Sequence, residues 1–408
     1  MSYVSFNPLS PEHRNNPFQL FEELVRLGPL HRTRSGLLLV CGNALATRVL
    51  KDRHLRTDYS TALAKAYGPE FSTHASLRYL SDSFVLTGDK ANGEVRRHFA
   101  KMLSHTRVHG YADEMRECAQ SLLNRARTLP EMDLLHEFAA PYTQMTLAKL
   151  LSIPIDLLRE IPTDLLAALD CAKLPRSKLR LLDERLAAAA EIFIPFLHSE
   201  SALRSECVSG LLDIADKNAL SLESVFADLV FIVVAGSETT STAIAQLAWF
   251  LAAQPDIATQ LAADPSSTSR AVEEFARLFP SIHIVTRRPA SDVEVGGYCV
   301  RDTDTLLVLI AAANRDPSVF PEPTAFKLGR PEISRTLAFG TGIHYCVGAA
   351  AAREQIGIAI ELLAAWEGLS SKAVSLHWRR LGVFRSLEAT WFTDPSKRQS
   401  VRQLKLNG

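Results

Sequence analysis

The sequence has little that would direct it to nucleic acid, to membranes or to secretion. Among its 408 residues, 45 Lys and Arg balance 45 Asp and Glu, so the charge gives no reason to expect nucleic acid or an anionic membrane as a partner. The longest apolar runs, such as 229–235, are far shorter than the roughly 20 residues that cross a bilayer. The first residues lack the basic and apolar regions of a signal peptide. We therefore expect a cytoplasmic protein without a membrane anchor.

Cysteine is scarce, and it is not arranged in the pairs that bind zinc or carry out redox chemistry. Six cysteines are present, none of them in a C-x-x-C pair, which argues against a zinc site or a thioredoxin-type dithiol. In a reducing cytoplasm most of them should be buried thiols. The question is whether one of them differs from the others.

Helical periodicity dominates the chain. Helices are expected at 17–27, 112–127, 133–151, 178–197, 222–253, 267–278 and about 347–366. After Pro280 the pattern changes to an alternating hairpin at 292–297, an apolar strand at 305–310 and a proline-rich coil at 316–331. Neither an internal repeat nor a linker is evident. We expect one domain over residues 1–408, mainly α with a small β region.

The segment 339–348 reads Phe-Gly-Thr-Gly-Ile-His-Tyr-Cys-Val-Gly and holds the cysteine that stands apart. Glycine permits positive φ and a close approach to a flat ligand. The alanine-rich sequence that follows is a strong helix former, so Cys346 would lie at a helix N-terminus, where the dipole and free N–H groups favour a thiolate. These features also fit a glycine-rich turn whose buried cysteine caps a helix. A nucleophilic cysteine with His344 as its base is a further alternative, although no third, orienting group is evident.

The full spacing resembles the cysteine-ligand loop of cytochromes P450. All fixed positions match: Phe339, Gly340, Gly342, His344, Cys346 and Gly348. The resemblance implies that Cys346 is the metal ligand, the axial thiolate of a haem iron. It also implies that Phe339 packs beside the thiolate, that His344 contacts a haem propionate, and that Gly340 and Gly348 belong to the cofactor-binding residues.

The run Ala-Gly-Ser-Glu-Thr-Thr at 235–240 interrupts the apolar helix expected at 222–253. Glycine costs roughly 1 kcal/mol inside a helix, and neighbouring Ser and Thr side chains can bend one. Taken alone, Gly236 could end one helix and Ser237 could cap a second. The run also resembles the oxygen-binding groove of cytochromes P450. That resemblance implies a catalytic acid at Glu238 and a catalytic alcohol at Thr239, which deliver protons to dioxygen, and it places Ala235 among the cofactor-binding residues.

Two further segments extend the resemblance. Glu274 and Arg277 lie at i and i+3 on one helix face. Alone they would be a surface ion pair of little value, but in the family the pair is buried and locks the proline-rich coil beneath the haem. Arg287 matches the position that binds a haem propionate, a task that suits the guanidinium fork, and Arg288 is a competing candidate.

One segment departs from the family pattern, in which His-x-x-x-Arg follows Asp-Pro-Pro. Residues 88–97 read Gly-Asp-Lys-Ala-Asn-Gly-Glu-Val-Arg-Arg. Arg97 matches the propionate-binding Arg, but Gly93 stands in place of the His, which leaves this propionate with fewer donors. A basic cluster surrounds Arg97, formed by Arg96, His98, Lys101, His105 and Arg107. The cluster fits either a solvated face or a docking surface for an acidic electron donor.

The resemblance implies a haem-thiolate monooxygenase with haem b between the long helix and the Cys346 loop. Such an enzyme inserts one atom of O2 into an organic substrate by hydroxylation or epoxidation, with electrons from NAD(P)H through separate partners, a ferredoxin and its reductase. We expect a monomer that acts on a small or mid-sized, mostly hydrophobic substrate in natural-product biosynthesis (secondary metabolism) or catabolism. The expected pocket lining comes from loop 61–86 and from Phe231, Val234, Ile282, His283, Ile284, Val383 and Phe384.

Two other functions stay open at this point. One is a haem-thiolate enzyme that couples or rearranges its substrate without net oxygen insertion, and the other is a non-catalytic haem-binding sensor. The presence of both Glu238 and Thr239 favours oxygen activation over either alternative.

Overall fold

The computed structural model describes residues 2–57, 59–86, 90–129, 131–170 and 173–393. Gly88 and Asp89, in the segment that departs from the family pattern, lie outside these ranges.

Helices make up most of the described chain. Their bounds are α1 Pro11–Asn15, α2 Pro17–Leu27, α3 Asn43–Lys51, α4 Tyr59–Tyr67, α5 Ala75–Ser81, α6 Lys90–Met102, α7 His105–His109, α8 Ala112–Arg127, α9 Ala140–Leu151, α10 Ile155–Arg159, α11 Arg176–Leu197, α12 Glu200–Arg204, α13 Glu206–Lys217, α14 Leu222–Ala253, α15 Pro255–Ala263, α16 Thr268–Leu278, α17 Ile310–Ala313 and α18 Ala349–Ala364. The strands are short: β1 Ser2–Val4, β2 Leu30–Thr33, β3 Leu38–Val40, β4 Leu55–Arg56, β5 Glu131–Asp133, β6 Ile284–Pro289, β7 Val293–Val295, β8 Tyr298–Val300, β9 Leu306–Leu309, β10 Ala373–Trp378 and β11 Leu387–Thr393. The expected class, mainly α with a small β region, is confirmed.

The β region is built around one mixed sheet of six strands in the order β1-β2-β3-β9-β6-β4. β10 and β11 form a hairpin with β5 at its edge, and β7 and β8 form the hairpin expected at 292–297. Apolar side chains of β3, β9 and α3 pack into a small core that is separate from the large helical core. The sheet therefore holds α3 and β6 in fixed positions beside the helical body.

The helix α14 runs through the centre of the helical body. It packs against α5, α9, α11 and α18, and most of its side chains are buried. Gly236 does not end it, because the helix continues to Ala253. A Cβ on Gly236 would lie 2.9 Å from Cδ1 of Leu147 in α9, so glycine here lets two helices approach closely. The alternative of two successive helices is therefore wrong.

The helix expected at 133–151 is shorter than its pattern, because its first residues are drawn into the β region. Asp133 ends β5, and its Oδ1 accepts the N–H groups of Leu135 at 3.1 Å and Thr390 at 3.0 Å. A π-helical turn, Leu135–Ala139, then leads into α9. Asp133 thus ties the start of this helix to β11.

Among the helices of the described residues, none is long and apolar enough to cross a membrane, and this holds for α14 as well.

Candidate active site

The Cys346 loop is held in shape by glycines and by its own backbone. Gly340 and Gly342 have φ of +68° and +73°, in the left-handed region that favours glycine. A Cβ on Gly342 would also lie 2.8 Å from the carbonyl oxygen of Leu50 in α3, so a larger residue would collide with that backbone. The N–H of Cys346 donates to the carbonyl of Phe339 at 2.9 Å. The loop therefore presents Cys346 in a defined position just before α18 begins.

Cys346 differs electrostatically from a buried structural thiol. Its side chain has a surface that solvent can reach, but protein atoms of the loop and of neighbouring elements are packed closely around it. Burial is the largest influence and leaves the pKa of the Cys346 thiol above its ordinary value, whereas a hydrogen bond from the N–H of Gly348 and the positive charges of Arg96 and Arg353 act to lower it. At Cys41, by contrast, burial is the only resolved influence and raises the pKa to about 12. The groups around Cys346 are thus those that stabilise a thiolate.

Arg353, about one helical turn into α18, braces the loop from the side. Its Nη1 donates to the Tyr345 hydroxyl at 2.9 Å, and its guanidinium also pairs with Glu273 in α16. The same guanidinium stacks 4.2 Å from the centroid of the Phe339 ring. Sequence reasoning missed this residue, although its position in the first turns of the helix after Cys346 was a usable signal.

Three cationic or protonatable side chains converge beside the Cys346 loop. Arg287, which is buried on β6, and Arg96 on α6 both lie near His344. Burial, together with these two positive charges, lowers the pKa of His344 to about 4. The Nε2 atom of His344 lies 3.2 Å from Oγ1 of Thr57. Among the described residues, no carboxylate forms an ion pair with any of the three. This is an arrangement that suits a ligand with carboxylates of its own.

The structure brings Arg96 rather than Arg97 to the loop. Arg96 donates to the carbonyl of Tyr345, whereas Arg97 is exposed and lies beside Glu94. One residue along a helix turns a side chain by about 100°, so a shift of one position separates the two faces. Without the Asp-Pro-Pro and His that anchor the family pattern, the sequence offered no way to fix that register. Arg288, the competitor of Arg287, is likewise less buried than Arg287 on β6.

Glu238 is a buried carboxyl group in the middle of α14. Neither of its oxygens has a hydrogen-bond partner of good geometry among the described residues, although the Ser386 hydroxyl is near enough to favour the charged form. Burial raises the pKa of Glu238 to about 7, against the opposing positive charge of Arg379. A carboxyl group with a pKa near neutrality is able both to take up and to release a proton.

Thr239, the next residue, is partly exposed, unlike Glu238. Its Oγ1 donates to the carbonyl of Ala235 at 2.6 Å, which leaves the oxygen lone pairs available as acceptors. The carbonyl of Thr239 in turn accepts a hydrogen bond from the Ser281 hydroxyl at 2.9 Å. The helix is thus tied at this point to the segment that precedes β6.

Glu274 and Arg277 form the centre of a buried polar network in α16. Arg277 donates to both oxygens of Glu274 at 2.8 Å and to the carbonyls of Asn314 at 2.9 Å and Pro323 at 2.7 Å. Arg330 donates to Glu274 as well, at 2.9 Å. One helix thereby holds the proline-rich coil in place just before the Cys346 loop.

Comparison with known proteins gives one answer. The family model for cytochrome P450 matches residues 198–364, a stretch that includes Glu238, Glu274 and Cys346. The "Biotin biosynthesis cytochrome P450" of Bacillus subtilis is 26% identical over 400 residues, which cover 94% of this chain and 98% of that protein. The chain belongs to the cytochrome P450 family.

Solved structures agree with this assignment. P450BioI, crystallised with an acyl carrier protein that carries hexadec-9Z-enoic acid, is 22% identical and superposes with a TM-score of 0.83 over 94% of this chain and 100% of that chain. P450epoK with bound epothilone D is 21% identical, with a TM-score of 0.79 over 96% of this chain and 100% of that chain. These structures show that the chain shares their fold. With the family model and the curated relative, the expected family and enzyme class, a cytochrome P450 monooxygenase, are confirmed, and the family implies a haem cofactor.

The residues of this P450 fit that cofactor. A cysteine with thiolate-stabilising neighbours lies on one side, and Arg96, Arg287 and His344 offer donors that pair with no carboxylate of the described residues. Haem carries two propionates that need such donors. Phe339, Gly340 and Gly348 lie in the same loop, which glycine backbone keeps free of bulk.

One face of α14 is open in this P450. Phe231, Ala235 and Thr239 are spaced by four residues and are partly exposed, whereas their neighbours in the helix are largely buried. Such spacing puts the three side chains on one stripe. Val234, predicted to line the pocket, is instead completely buried in the core, because it lies about 100° away from that stripe.

The other predicted pocket residues lie on two segments that pair with each other. Ile282 forms a β-bridge with Phe384, and the N–H of His283 donates to the carbonyl of Val383 at 2.9 Å. Ile284, the first residue of β6, is buried on the same side of its strand as Ile282. The structure thus brings these segments together beside Thr239, to which Ser281 is bonded.

His283 does not face the same way as its neighbours. Its ring lies 5.5 Å from that of Phe21 and 5.7 Å from that of Phe18, both in α2. Side chains alternate along extended backbone, so His283 points away from the side that Ile282 and Ile284 share. The expectation that His283 lines the pocket is therefore not supported by its surroundings.

We expect Glu238→Gln to reduce turnover by about 10²-fold, the usual effect of losing a general acid–base group, while raising stability at alkaline pH. The folded-state pKa of Glu238 is raised from 4.5 to about 7, so the folded protein holds this proton more tightly than the unfolded chain does. Stability is therefore lost as the pH rises from 4.5 through 7, by about 3 kcal/mol at most. Urea unfolding at pH 5 and pH 8 measures the gain in the variant, which should appear only at pH 8.

The matched control is Glu223→Gln, at an exposed position near the start of the same helix. It should leave both turnover and the pH dependence of unfolding unchanged. Equal pH dependence in wild type and the Glu238→Gln variant would show that this carboxyl group is not held in its neutral form.

Proposed function

We propose that this P450 inserts one oxygen atom from O2 into a small or mid-sized, mostly hydrophobic organic substrate, by hydroxylation or epoxidation. The observation that carries the proposal is the pair formed by buried Glu238 and partly exposed Thr239 on the open face of α14. A non-catalytic haem-binding sensor has no need of a near-neutral carboxyl group beside a hydroxyl at this place. We further propose that residues 1–408 form one catalytic domain and act as a cytoplasmic monomer.

The roles of the side chains follow from their positions. When bound, haem b supplies the iron centre at which dioxygen is activated. Cys346 would donate its thiolate to that iron, and Arg96, Arg287 and His344 would bind the propionates. The Thr239 hydroxyl donates to the carbonyl of Ala235, so its lone pairs can accept a hydrogen bond from water. Glu238, which lies near the positive charge of Arg379, passes protons toward that water.

Electrons are proposed to come from NAD(P)H through a ferredoxin and its reductase. The outer side of the Cys346 loop offers a docking face, where Ile343 is 59% exposed and Tyr345 is 42% exposed. Exposed apolar side chains beside a cation such as Arg96 suit a small acidic partner. The basic cluster of α6 and α7 contributes less than its charge suggests, because Lys101 and Arg107 both pair with Glu206.

We propose that the enzyme acts in natural-product biosynthesis. Its substrate would reach it either as a free small molecule or, as a second candidate, bound to a carrier protein. One relative is named for biotin biosynthesis, and one solved structure is a complex with an acyl carrier protein. A feature of this chain also favours delivery by a carrier protein. Three cations surround the single carboxylate of Asp164: Lys178 at 3.8 Å, Arg185 at 3.7 Å and Arg379 at 3.8 Å. Such an excess would steer an acidic carrier toward the protein.

The test is turnover of the haem-loaded enzyme with NADPH, a surrogate ferredoxin and its reductase under ¹⁸O₂. Substrates are first selected from a hydrophobic panel by the shift in haem spin state, each as a free acid and as a carrier-bound thioester. The expected product carries one ¹⁸O atom and requires the ferredoxin. Coupled or rearranged products without ¹⁸O would replace the proposal by the first alternative. Equal turnover of free and carrier-bound forms at low salt would remove the carrier candidate alone.

A further inference from the structure

Asp170 stands at the end of a 3₁₀ segment, Thr163–Leu169, that packs over α14. Its side chain reaches the loop between β10 and β11 and accepts three consecutive backbone N–H groups. The Gly382 N–H lies 2.9 Å and 3.0 Å from the two carboxylate oxygens, and those of Val383 and Phe384 lie 2.8 Å and 3.4 Å from Oδ2. Asp170 is itself 9% exposed, so these bonds are shielded from water.

Successive N–H groups that point to one place form a concavity of positive potential, which a carboxylate fills well. Hydrogen bonds to charged groups are stronger than neutral ones, and a buried N–H left without a partner is costly. The three N–H groups therefore hold their loop against Asp170 as long as the carboxylate is present.

The opposite edge of the same loop is bound as well. The carbonyl of Val383 accepts the N–H of His283 at 2.9 Å, and the N–H of Arg385 donates to the carbonyl of Ser281 at 2.8 Å. Ser281 is the residue whose hydroxyl bonds to the carbonyl of Thr239. A continuous set of hydrogen bonds thus runs from Asp170, through the Val383–Phe384 loop, to the backbone of the catalytic alcohol.

We propose that Asp170 is a positioning residue that fixes the Val383–Phe384 wall of the substrate pocket relative to Thr239, and thereby sets which carbon of the substrate is oxidised. The inference rests on the proposed function, because it assumes that this wall faces the substrate. Loss of the carboxylate would let the loop move, and the substrate would then present different carbons to the reacting oxygen.

The test compares Asp170→Asn with wild type in the haem-loaded enzyme. The amide keeps the shape of the side chain but loses its charge and one acceptor oxygen. We expect the thiolate-type spectrum of the reduced carbon monoxide complex to persist, the ratio of regioisomeric products to change, and the substrate dissociation constant from spin-state titration to weaken about tenfold, the scale of one hydrogen bond to a charged group.

Asp133→Asn is the matched control. Asp133 is similarly buried and also accepts backbone N–H groups, from Leu135 and from Thr390 on the same hairpin, but it does not bond to the Val383–Phe384 loop. This variant should lose stability without altering the product ratio. A change of ratio in both variants would reduce Asp170 to a general structural role and overturn the proposal.

A double-mutant cycle with Val383→Ala separates the wall from the rest of the fold. If Asp170 acts through this wall, the effects of Asp170→Asn and Val383→Ala on the product ratio should be non-additive, whereas Asp170→Asn and Phe231→Ala should combine additively. An unchanged product ratio and dissociation constant in Asp170→Asn would overturn this inference alone. Absence of any oxygenated product from wild type would instead overturn the proposed function.

Discussion

Cys346→Ala is expected to abolish both the thiolate-type Soret shift of the reduced carbon monoxide complex and all substrate turnover. The physical reason is that the iron then lacks its charged sulfur ligand, and no other described cysteine lies in a comparable setting. Cys41 and Cys207 are buried, and burial raises the pKa of each to about 12, so neither provides a thiolate. The measurement is the absorption difference spectrum of the reduced protein with and without carbon monoxide.

Cys299→Ser is the matched control, since Cys299 is an exposed thiol in the β7–β8 hairpin. It should keep the full spectrum and full turnover. Survival of the thiolate-type spectrum in the Cys346→Ala variant would mean that another residue binds the iron, and the assignment of the site would have to be abandoned.

Glu274→Gln is expected to destabilise the folded protein by about 3–5 kcal/mol, the cost of breaking a buried ion pair by removing one partner. Glu274 lies between two buried guanidinium groups, those of Arg277 and Arg330. It also accepts the backbone N–H of Lys327 at 3.0 Å. Without its charge, two buried cations face each other with no counter-ion, and the proline-rich coil loses its attachment to α16. Urea unfolding of the haem-loaded protein measures the loss.

The control for this variant is Glu200→Gln, which breaks the ion pair with Arg204 on an exposed helix face. That pair should be worth less than about 1 kcal/mol. The two variants make the same chemical change, so a similarly small loss in both would show that burial does not strengthen the Glu274 network. Haem retention after gel filtration gives a second readout, because the coil leads directly to the Cys346 loop.

The identity of the central helix and of the cysteine loop could be predicted from the sequence because both are local patterns. An apolar run of helical period marks α14 to the residue, and the spacing of glycines around Cys346 dictates a turn that only glycine can form. The pair at 274 and 277 was equally visible, since i and i+3 share a helix face. Its third member, Arg330, lies 53 residues after Arg277 and joins the pair only through the folded coil.

Errors occurred where side-chain direction mattered and the pattern did not fix it. Arg97 was preferred to Arg96 because the residues that set the register of α6 are replaced in this chain. Val234 and His283 were placed in the pocket with their neighbours, although one step along a helix or an extended segment turns a side chain out of that face. The role of Asp170 was not foreseen, because nothing local shows that its carboxylate meets a loop more than two hundred residues later.

The sequence by itself indicated the proposed chemistry of this P450, because the proposed metal ligand, the proposed acid–alcohol pair and the ion pair each lie in a segment of at most ten consecutive residues. Tertiary structure alone decided which charges lie beside the Cys346 loop, why Glu238 has a pKa near neutrality, and how the Val383–Phe384 loop is attached to the helix that carries Thr239. The reason is that a residue's identity and spacing are local properties, whereas desolvation and direction depend on which distant segments pack against it.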